Sequence, residues 1–353
     1  MRLRTALNEY KRDRGERFPE ESPTAAGAFS GHGDRLVYVD PSGSIRDYSS
    51  SLSGLYGIDR SRFGIETGDG TQWFDDLEPV RQHYYRETTL VETEYDAGEY
   101  TVHQYDLTLG RAHVTHVELR GAIPTDAHLT AFLTFAPEGR ETRVGRLIHE
   151  EGGPNDTKAV EVFHRTEHDY VTASTGLDDV RGQIPERFDE MLSDDTFEFP
   201  REAVLERYED THLSGDVVVS APLEREGRAA QTTLVTQLSD HSEVSREDAL
   251  ADLRHCALNH VTADELRAGA RERAEVYVPE ETPREDICRA DLRALSLLKA
   301  PSGAHIAGPE FDPFFAHSGG YGYTWFRDDS EVARHLLEAD QAFELDVRDQ
   351  LTT

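Results

Sequence analysis

Apolar residues recur with a period of two from about Gly27 to Gln237, and with a period of about 3.6 after Gln237. Successive side chains of a strand point to opposite faces, whereas a helix returns to its apolar face every 3.6 residues. Short alternating runs with turn residues between them indicate an antiparallel β-sandwich rather than βαβ units. The predicted strands are 36–39, 44–47, 88–95, 100–108, 112–119, 129–135, 159–164, 170–174, 216–221 and 232–237.

Turn chemistry supports the β assignment at two places. Residues 40–43 read Asp-Pro-Ser-Gly, with proline at the second and glycine at the fourth position of a turn. Residues 96–98, Asp-Ala-Gly, are a short hairpin loop between two predicted strands. The charged stretch 183–209 is expected to be a long excursion with helical patches, inserted between strands.

Four helices are predicted after residue 240. The first spans 245–257, and a capping box at 262–265 opens the second. Residues 282–285, Thr-Pro-Arg-Glu, form another capping box with proline at the first helical position, and open the third. Residues 328–331 are expected to cap the fourth helix.

The apolar surface of the third helix is broad, which is typical of a helix packed on several sides, as the inner helix of an α/α barrel is. Its two predicted faces are Ile287, Ala290, Ala294 and Leu298, and Cys288, Leu292 and Leu295. The predicted buried stripe of the fourth helix is Val332, Ala333, Leu336, Leu337, Ala339 and Phe343. The fold class is therefore β plus α, with a β-sandwich domain over 1–240, a helical linker over 241–280, and a helical region over 281–353.

Charge narrows the possible partners. The chain has 353 residues and a formal net charge of −32, and its lysines are only Lys11, Lys158 and Lys299. Such a surface repels polyanions, so we expect no nucleic-acid partner and no association with anionic membranes. The carboxylates are spread along the whole chain, which indicates a folded protein adapted to high salt and favours a haloarchaeal source.

The two cysteines, Cys256 and Cys288, form neither a disulfide framework nor a zinc pattern. We expect both to be buried small apolar residues in a reducing compartment. The N-terminal residues contain no signal-peptide core, and no apolar run reaches membrane-spanning length. The predicted location is the cytoplasm.

Residues 318–329 combine glycines, aromatic rings and charges in the order Ser-Gly-Gly-Tyr-Gly-Tyr-Thr-Trp-Phe-Arg-Asp-Asp. Glycines allow close approach of the backbone to a ligand, and a flat ring can stack on the C–H face of a sugar. A guanidinium and a carboxylate beside those rings can bind sugar hydroxyls. The same residues also fit a glycine-rich turn with a core tryptophan and a helix-capping aspartate.

This stretch lies inside a longer one, residues 301–333, that resembles the start of the catalytic domain of glucoamylases of glycoside hydrolase family 15. Residues 35–40, 43–47 and 57–65 are similar to the N-terminal domain of the prokaryotic and archaeal members. The resemblance implies a supersandwich-like β-sandwich followed by the first helices of an (α/α)6 barrel that is incomplete in this chain. It also implies inverting hydrolysis by two loop glutamates, which stand roughly 6.5–9.5 Å apart in such enzymes.

Four substrate-binding residues carry over from the family motif. Tyr321 matches the tyrosine beside the reacting sugar, and Trp325 matches the tryptophan that lines the pocket. Arg327 and Asp328 match the pair that binds the hydroxyls of the non-reducing terminal glucose. Phe326 stands where bacterial and archaeal relatives usually have proline. This departure affects the expected rigidity of the loop and leaves the four matched residues in place.

No catalytic residue is assigned, because both glutamates of the family are expected downstream of Thr353, and we therefore expect a truncated chain that is inactive alone. An internal carboxylate pair would more readily be Glu310 with Asp312 than Asp328 with Asp329, because neighbours on a helix diverge by about 100°. No cofactor is expected. No metal is expected either, because His113 and His116 would point to opposite faces of a strand.

Two functions remain open from the sequence. The first is a glucan 1,4-alpha-glucosidase that releases glucose from the non-reducing ends of alpha-glucans, with alpha,alpha-trehalose as another possible substrate. The second is a non-catalytic sugar-binding or interaction protein. Exposed helix faces could mediate association in either case.

Overall fold

The computed structural model describes residues 27–33, 35–49, 56–77, 79–137, 144–149, 157–182, 215–274, 278, 282–308 and 323–343. Within these residues, seventeen strands precede four α-helices. The strands are β1 (Ala28–His32), β2 (Arg35–Val39), β3 (Ile45–Ser49), β4 (Tyr56–Thr67), β5 (Gly70–Trp73), β6 (Pro79–Tyr84), β7 (Val91–Asp96), β8 (Tyr100–Leu109), β9 (Ala112–Gly121), β10 (His128–Phe135), β11 (Gly145–His149), β12 (Ala159–His164), β13 (Glu167–Ala173), β14 (Asp179–Arg181), β15 (Asp216–Pro222), β16 (Glu224–Glu226) and β17 (Ala229–Asp240). The helices are α1 (Arg246–Asn259), α2 (Ala263–Arg273), α3 (Glu285–Leu298) and α4 (Phe326–Phe343).

The strands form two antiparallel sheets that share one core. The first sheet has the order β1-β2-β3-β4-β10-β15-β14 with β5 on β4, and the second has the order β11-β12-β13-β17-β9-β8-β7-β6 with β16 on β17. Phe63 and Val219 of the first sheet belong to the same buried cluster as Val117 and Leu238 of the second. The predicted β plus α class is confirmed, and each of the ten predicted strands overlaps an observed one. The finer supersandwich assignment stays a prediction.

The predicted turn at residues 40–43 joins β2 to β3. The Asp40 carboxylate accepts hydrogen bonds from the backbone N–H groups of Ser42 at 2.9 Å and Ser44 at 3.1 Å. Gly43 has φ +75°, and a Cβ at this position would collide with the hydroxyl of Tyr95. Only glycine therefore fits there.

Helices α1 and α2 cover the outer face of the second sheet. Leu253 of α1 and Leu266 of α2 are fully buried against residues such as Leu107 and Val235. Residues of opposite parity on the same strands, such as Val102 and Leu234, face the core between the sheets. The segment predicted as a linker thus contributes to the packing of the β region, and the domain boundaries at 240 and 280 stay predictions.

The helix starts were predicted with mixed success. Ser245 caps α1, and the predicted capping box of Thr262 and Glu265 opens α2 with both reciprocal hydrogen bonds formed. The box predicted at 282–285 is wrong, because Arg284 takes a left-handed conformation with φ 58° and α3 begins only at Glu285. Asp328 does not cap α4, since that helix already begins at Phe326.

Packing of α3 and α4 confirms one predicted face and contradicts another. The predicted α3 face with Leu292 packs with Leu336 of α4, and the end of α3 packs through Leu297 on the first sheet. The face with Ile287 was predicted to be buried, but Ile287 is 54% exposed, because no described element covers it. Leu337 was assigned to the buried stripe of α4 and is 38% exposed.

Three other predictions have these outcomes. The excursion at 183–209 lies outside the described residues. Cys256 and Cys288 are free and only partly buried, and each packs at the edge of an apolar cluster. Among the described residues, no helix combines the length and the apolar character needed to cross a membrane.

Candidate functional site

The segment between α3 and α4 begins with a tight reversal. The backbone N–H of Ala300 donates to the carbonyl of Ala304 at 2.8 Å, and that of Gly303 donates to Ala300 at 2.9 Å. Lys299 and His305 form an antiparallel bridge across the reversal. Gly303 has φ +84°, which glycine adopts without the strain that a Cβ would cause.

Asp329 holds this reversal against the start of α4. Its Oδ1 accepts the backbone N–H of His305 at 2.9 Å and the His305 ring Nδ1–H at 3.1 Å. The backbone N–H of Ala307 also donates to the carbonyl of Tyr323 at 3.1 Å. His305 is 3% exposed, so this contact fixes the chain on both sides of the glycine-rich stretch.

The described aromatic residues of the motif lie at the surface. Tyr323 is 52% exposed, Trp325 is 48% exposed and Phe326 is 93% exposed. The sequence left open whether Trp325 is a core residue or a surface residue, and the structure places it half-exposed at the start of α4. Single exposed rings are ordinary on a protein surface, whereas a large contiguous apolar patch marks a ligand-binding or partner-binding site.

Arg327 and Asp328 follow on the first turn of α4. A terminal nitrogen of Arg327 donates to Oδ2 of Asp328 at 3.3 Å, and the two side chains are 82% and 37% exposed. Three of the four predicted site residues, Trp325, Arg327 and Asp328, lie at the start of α4, where their closeness follows from the sequence. The fourth, Tyr321, lies outside the described residues, as do Glu310 and Asp312.

Asp328 and Asp329 diverge as their positions on a helix require. Asp328 contacts Arg327, whereas Asp329 contacts His305. They do not face each other across a common space, which agrees with the argument against a catalytic pair. The role of Asp329 as an anchor was not predicted, because its partner lies 24 residues away and no local pattern links the two.

A second polar cluster surrounds Glu161, outside the motif. Its buried carboxylate accepts ring N–H groups of His149 at 2.6 Å and His168 at 2.5 Å. The Arg246 guanidinium lies 2.9 Å away. Burial acts to raise the pKa of Glu161, but the two histidine hydrogen bonds and Arg246 outweigh it and lower this pKa to about 2.

Among the described residues, no group of three or more His, Cys, Asp or Glu side chains is placed so that it could hold a metal ion. The His113 ring forms hydrogen bonds with the side chains of Asp106 and Thr108, whereas the His116 ring forms one with the hydroxyl of Thr233. The two rings thus point to opposite faces of β9, as the strand geometry predicted. Burial lowers the pKa of His116 to about 4.

A solved structure shares this arrangement of antiparallel β-sheets followed by helices. The structure is similar to that of a bacterial glucoamylase solved with acarbose, with a TM-score of 0.62 and 11% sequence identity. That similarity covers 92% of this chain and 48% of the glucoamylase, so the chain spans about half of its length. A family GH92 inverting mannosidase from Bacteroides thetaiotaomicron is similar with a TM-score of 0.45 and 9% identity, over 77% of this chain and 35% of the mannosidase.

Sequence comparison identifies the family. The chain belongs to the family described as "Domain of unknown function (DUF7997)", whose model matches residues 1–249. That range holds the two sheets and the first residues of α1. No curated protein matches the chain in sequence.

Proposed function

We propose that the chain is part of a carbohydrate-active protein of the glycosidase kind, and that the start of α4 binds the non-reducing terminal glucose of an alpha-glucan. The observation that carries the proposal is that the half-exposed ring of Trp325 and the Arg327–Asp328 pair both lie at the start of α4, in the stretch that resembles glucoamylases. The ring would stack on the C–H face of the sugar. The pair would exchange its mutual 3.3 Å contact for hydrogen bonds to sugar hydroxyls.

Selectivity would follow from the charges. A bound sugar removes water from the guanidinium and the carboxylate. If that sugar lacks the matching hydroxyls, the two groups lose their hydrogen bonds to water without replacement, and binding is weaker. Asp329 supports this arrangement, because its bonds to His305 fix the first turn of α4 from which Arg327 and Asp328 project. Tyr321 is proposed as a further contact to the same sugar.

The proposed reaction is inverting hydrolysis that releases glucose. One carboxylic acid protonates the glycosidic oxygen while a carboxylate on the opposite face activates water. We assign neither group to a residue of this chain, which spans 48% of the similar glucoamylase. The 353-residue chain alone should release no glucose from maltose, whereas release that is lost in Glu310→Gln would assign an acid within it.

Tryptophan fluorescence tests the binding proposal directly. The chain has two tryptophans, of which Trp73 is 6% exposed and Trp325 is 48% exposed. In a Trp73→Phe variant the emission reports on Trp325 alone. Maltotriose should then change the emission saturably and protect it from acrylamide quenching, whereas cellotriose and mannotriose should act much more weakly.

The matched variants are Arg327→Gln and Arg334→Gln in the same background. Both arginines are exposed on α4, but Arg334 pairs with Glu331 and Glu338 instead of Asp328. Loss of charged hydrogen bonds worth about 1.5–3 kcal/mol should weaken maltotriose binding about 10- to 100-fold in Arg327→Gln. No emission change with maltotriose, or the same affinity in both variants, would refute the proposal.

A non-catalytic sugar-binding role is the second candidate, and Phe326 favours it. This side chain is 93% exposed, which is more than a ring in an enclosed active site would be. Phe326→Ala should then weaken binding to long soluble glucans more than binding to maltose. Equal effects on both would favour the single-glucose site.

The remaining proposals are haloarchaeal origin, adaptation to high salt, and a cytoplasmic location. Adaptation to high salt has a direct test, because the self-repulsion of a chain with net charge −32 is screened by salt. The unfolding midpoint should rise steeply between low salt and multimolar NaCl. A trehalase-type activity would appear as binding of trehalose in place of maltotriose.

A further inference from the structure

A cavity of about 390 Å³ lies where the β region meets the helices, apart from the start of α4. Its walls come from the end of β1, the loop before β7, the end of α2, one face of α3 and the segment after α3. Its volume falls in the range of small-molecule sites, which is about 300–1,000 Å³. The cavity is large enough for more than a bare ion.

The charges of the lining oppose those of the whole chain. Acidic residues outnumber basic ones by 69 to 37 overall, yet among the described residues that line the cavity Arg273, Arg293 and Lys299 stand against one carboxylate, Glu87. Glu87 is already engaged, since its Oε2 lies 3.3 Å from Nε of Arg289. A concave surface with clustered positive charge attracts anions, and more so where low-dielectric walls focus the field.

Arg293 is fixed in place by uncharged groups. Its guanidinium lies 3.9 Å from the ring centroid of Tyr84, and Nη1 donates to the carbonyl of Arg86 at 2.7 Å. Burial lowers the pKa of Arg293, and the interactions with Tyr84 and Glu87 offset this effect only in part. An anion in the cavity would supply the missing compensation.

Arg273 and Lys299 approach the cavity from two other segments. Arg273 is exposed in the last turn of α2, and among the described residues no carboxylate forms an ion pair with it. Lys299 is one of only three lysines in the chain and is held by its bridge to His305. The hydroxyls of Thr89 and Ser296 add neutral polar groups to the lining.

We propose that this cavity binds a small phosphorylated molecule, with its phosphate group between Arg273, Arg293 and Lys299. A phosphate monoester carries nearly two charges and several acceptor oxygens, which suits three cations better than a single carboxylate does. The planar guanidinium forks of the two arginines match phosphate oxygens, and the lysine acts as a point charge. The neutral polar lining would contact the rest of the molecule. This site is distinct from the proposed sugar site on α4.

Isothermal titration with inorganic phosphate and with glycerol 3-phosphate tests the site in the full 353-residue chain. Binding should be saturable with one site, tighter for glycerol 3-phosphate than for inorganic phosphate, and undetectable for glycerol. Arg273→Gln and Lys299→Gln should each weaken the affinity at least about tenfold, because each removes a charged partner of the phosphate.

Two variants are matched controls. Arg271→Gln is the control for Arg273→Gln, because it removes the same charge from the same helix at a residue that does not line the cavity. Lys158→Gln is the control for Lys299→Gln, because it removes a lysine that does not line the cavity. Both should keep the affinity within about twofold. If Arg273 only complements the negative end of α2, Arg273→Gln will lower the unfolding midpoint and leave phosphate affinity unchanged, which would overturn the proposal.

A salt series separates the pocket from the general field of the surface. The series compares the two cavity variants, Arg273→Gln and Lys299→Gln, with the two control variants as NaCl is raised to 1 M. If phosphate binding disappears equally in all four, the attraction is diffuse, and the proposal is overturned. Maltotriose-dependent emission of Trp325 should be the same in Arg273→Gln as in the parent chain. The phosphate and sugar proposals can therefore fail independently.

Discussion

Glu161 gives the sharpest prediction for stability. It lies on β12, accepts hydrogen bonds from His149 of β11 and His168 of β13, and contacts Arg246 at the start of α1. Its side chain is fully buried. Glu161→Gln keeps the shape of the side chain but removes the charge and turns one acceptor into a donor. That donor would face groups that themselves donate.

The lowered pKa of Glu161 sets the size of the effect. A fall from the ordinary 4.5 to about 2 corresponds to about 3 kcal/mol, because one pKa unit is worth about 1.36 kcal/mol. Removal of one partner of a buried ion pair costs about 3–5 kcal/mol, and the free energy obtained from the pKa lies in the same range. We therefore expect Glu161→Gln to lower the free energy of unfolding by about 3–4 kcal/mol at pH 7.

The sign of the pH dependence follows from the direction of the shift. Because the folded pKa lies below the unfolded one, the stabilisation is fully present above about pH 4.5 and is lost as pH falls toward about 2. The difference between parent and variant should fall to about 2 kcal/mol near pH 3.5.

Denaturant unfolding followed by circular dichroism between pH 3.5 and pH 7 measures both quantities. The matched control is Glu224→Gln on β16, which removes the same charge from an exposed position and should change stability by less than about 0.5 kcal/mol. A loss below about 1 kcal/mol in Glu161→Gln at pH 7, or a loss that is constant with pH, would refute this account of the cluster.

Two further predictions concern α1 and α2. Leu253→Ala empties a fully buried position between α1 and the second sheet, and should lower the free energy of unfolding by about 2–5 kcal/mol in one cooperative transition. The control is Leu258→Ala, at a position 41% exposed, which should lower it far less. A separate low-stability transition in Leu253→Ala would show instead that α1 is a linker. Thr262→Ala removes the hydroxyl that accepts the N–H of Glu265 at 3.2 Å and should cost about 1 kcal/mol, measured by the same denaturation. An unchanged midpoint would show that this capping box contributes nothing to stability.

Local chemistry made much of the fold predictable. The turn at 40–43 and the capping box at Thr262 need only residues close in sequence, and both formed as predicted. Alternation located strands such as β8 because its even positions face one core and its odd positions face the other. β4 was missed because Gly57, Gly64 and several charged residues interrupt its pattern.

Contacts between distant residues were not predictable from periodicity. The Glu161 cluster joins three strands and a helix, and the bond between His305 and Asp329 joins the ends of a 24-residue interval. Neither leaves a repeat or a motif in the sequence. Contacts between distant residues also decide which helix faces are covered. The periodicity located the apolar face of α3 that contains Ile287, but the prediction that this face is buried was wrong at Ile287.

The scaffold and the proposed sites rest on different parts of the chain. The family match ends at residue 249, so it concerns the two sheets and says nothing of Trp325 or Arg327. The sugar proposal therefore depends on Tyr321 and on the residues at the start of α4. The cavity differs in this respect, because Thr89 comes from the matched region while Arg273 and Lys299 come from beyond it. A phosphorylated molecule bound there would contact both the β region and the helices, and would stabilise the folded chain by an amount that grows with the logarithm of the ratio of its concentration to its Kd.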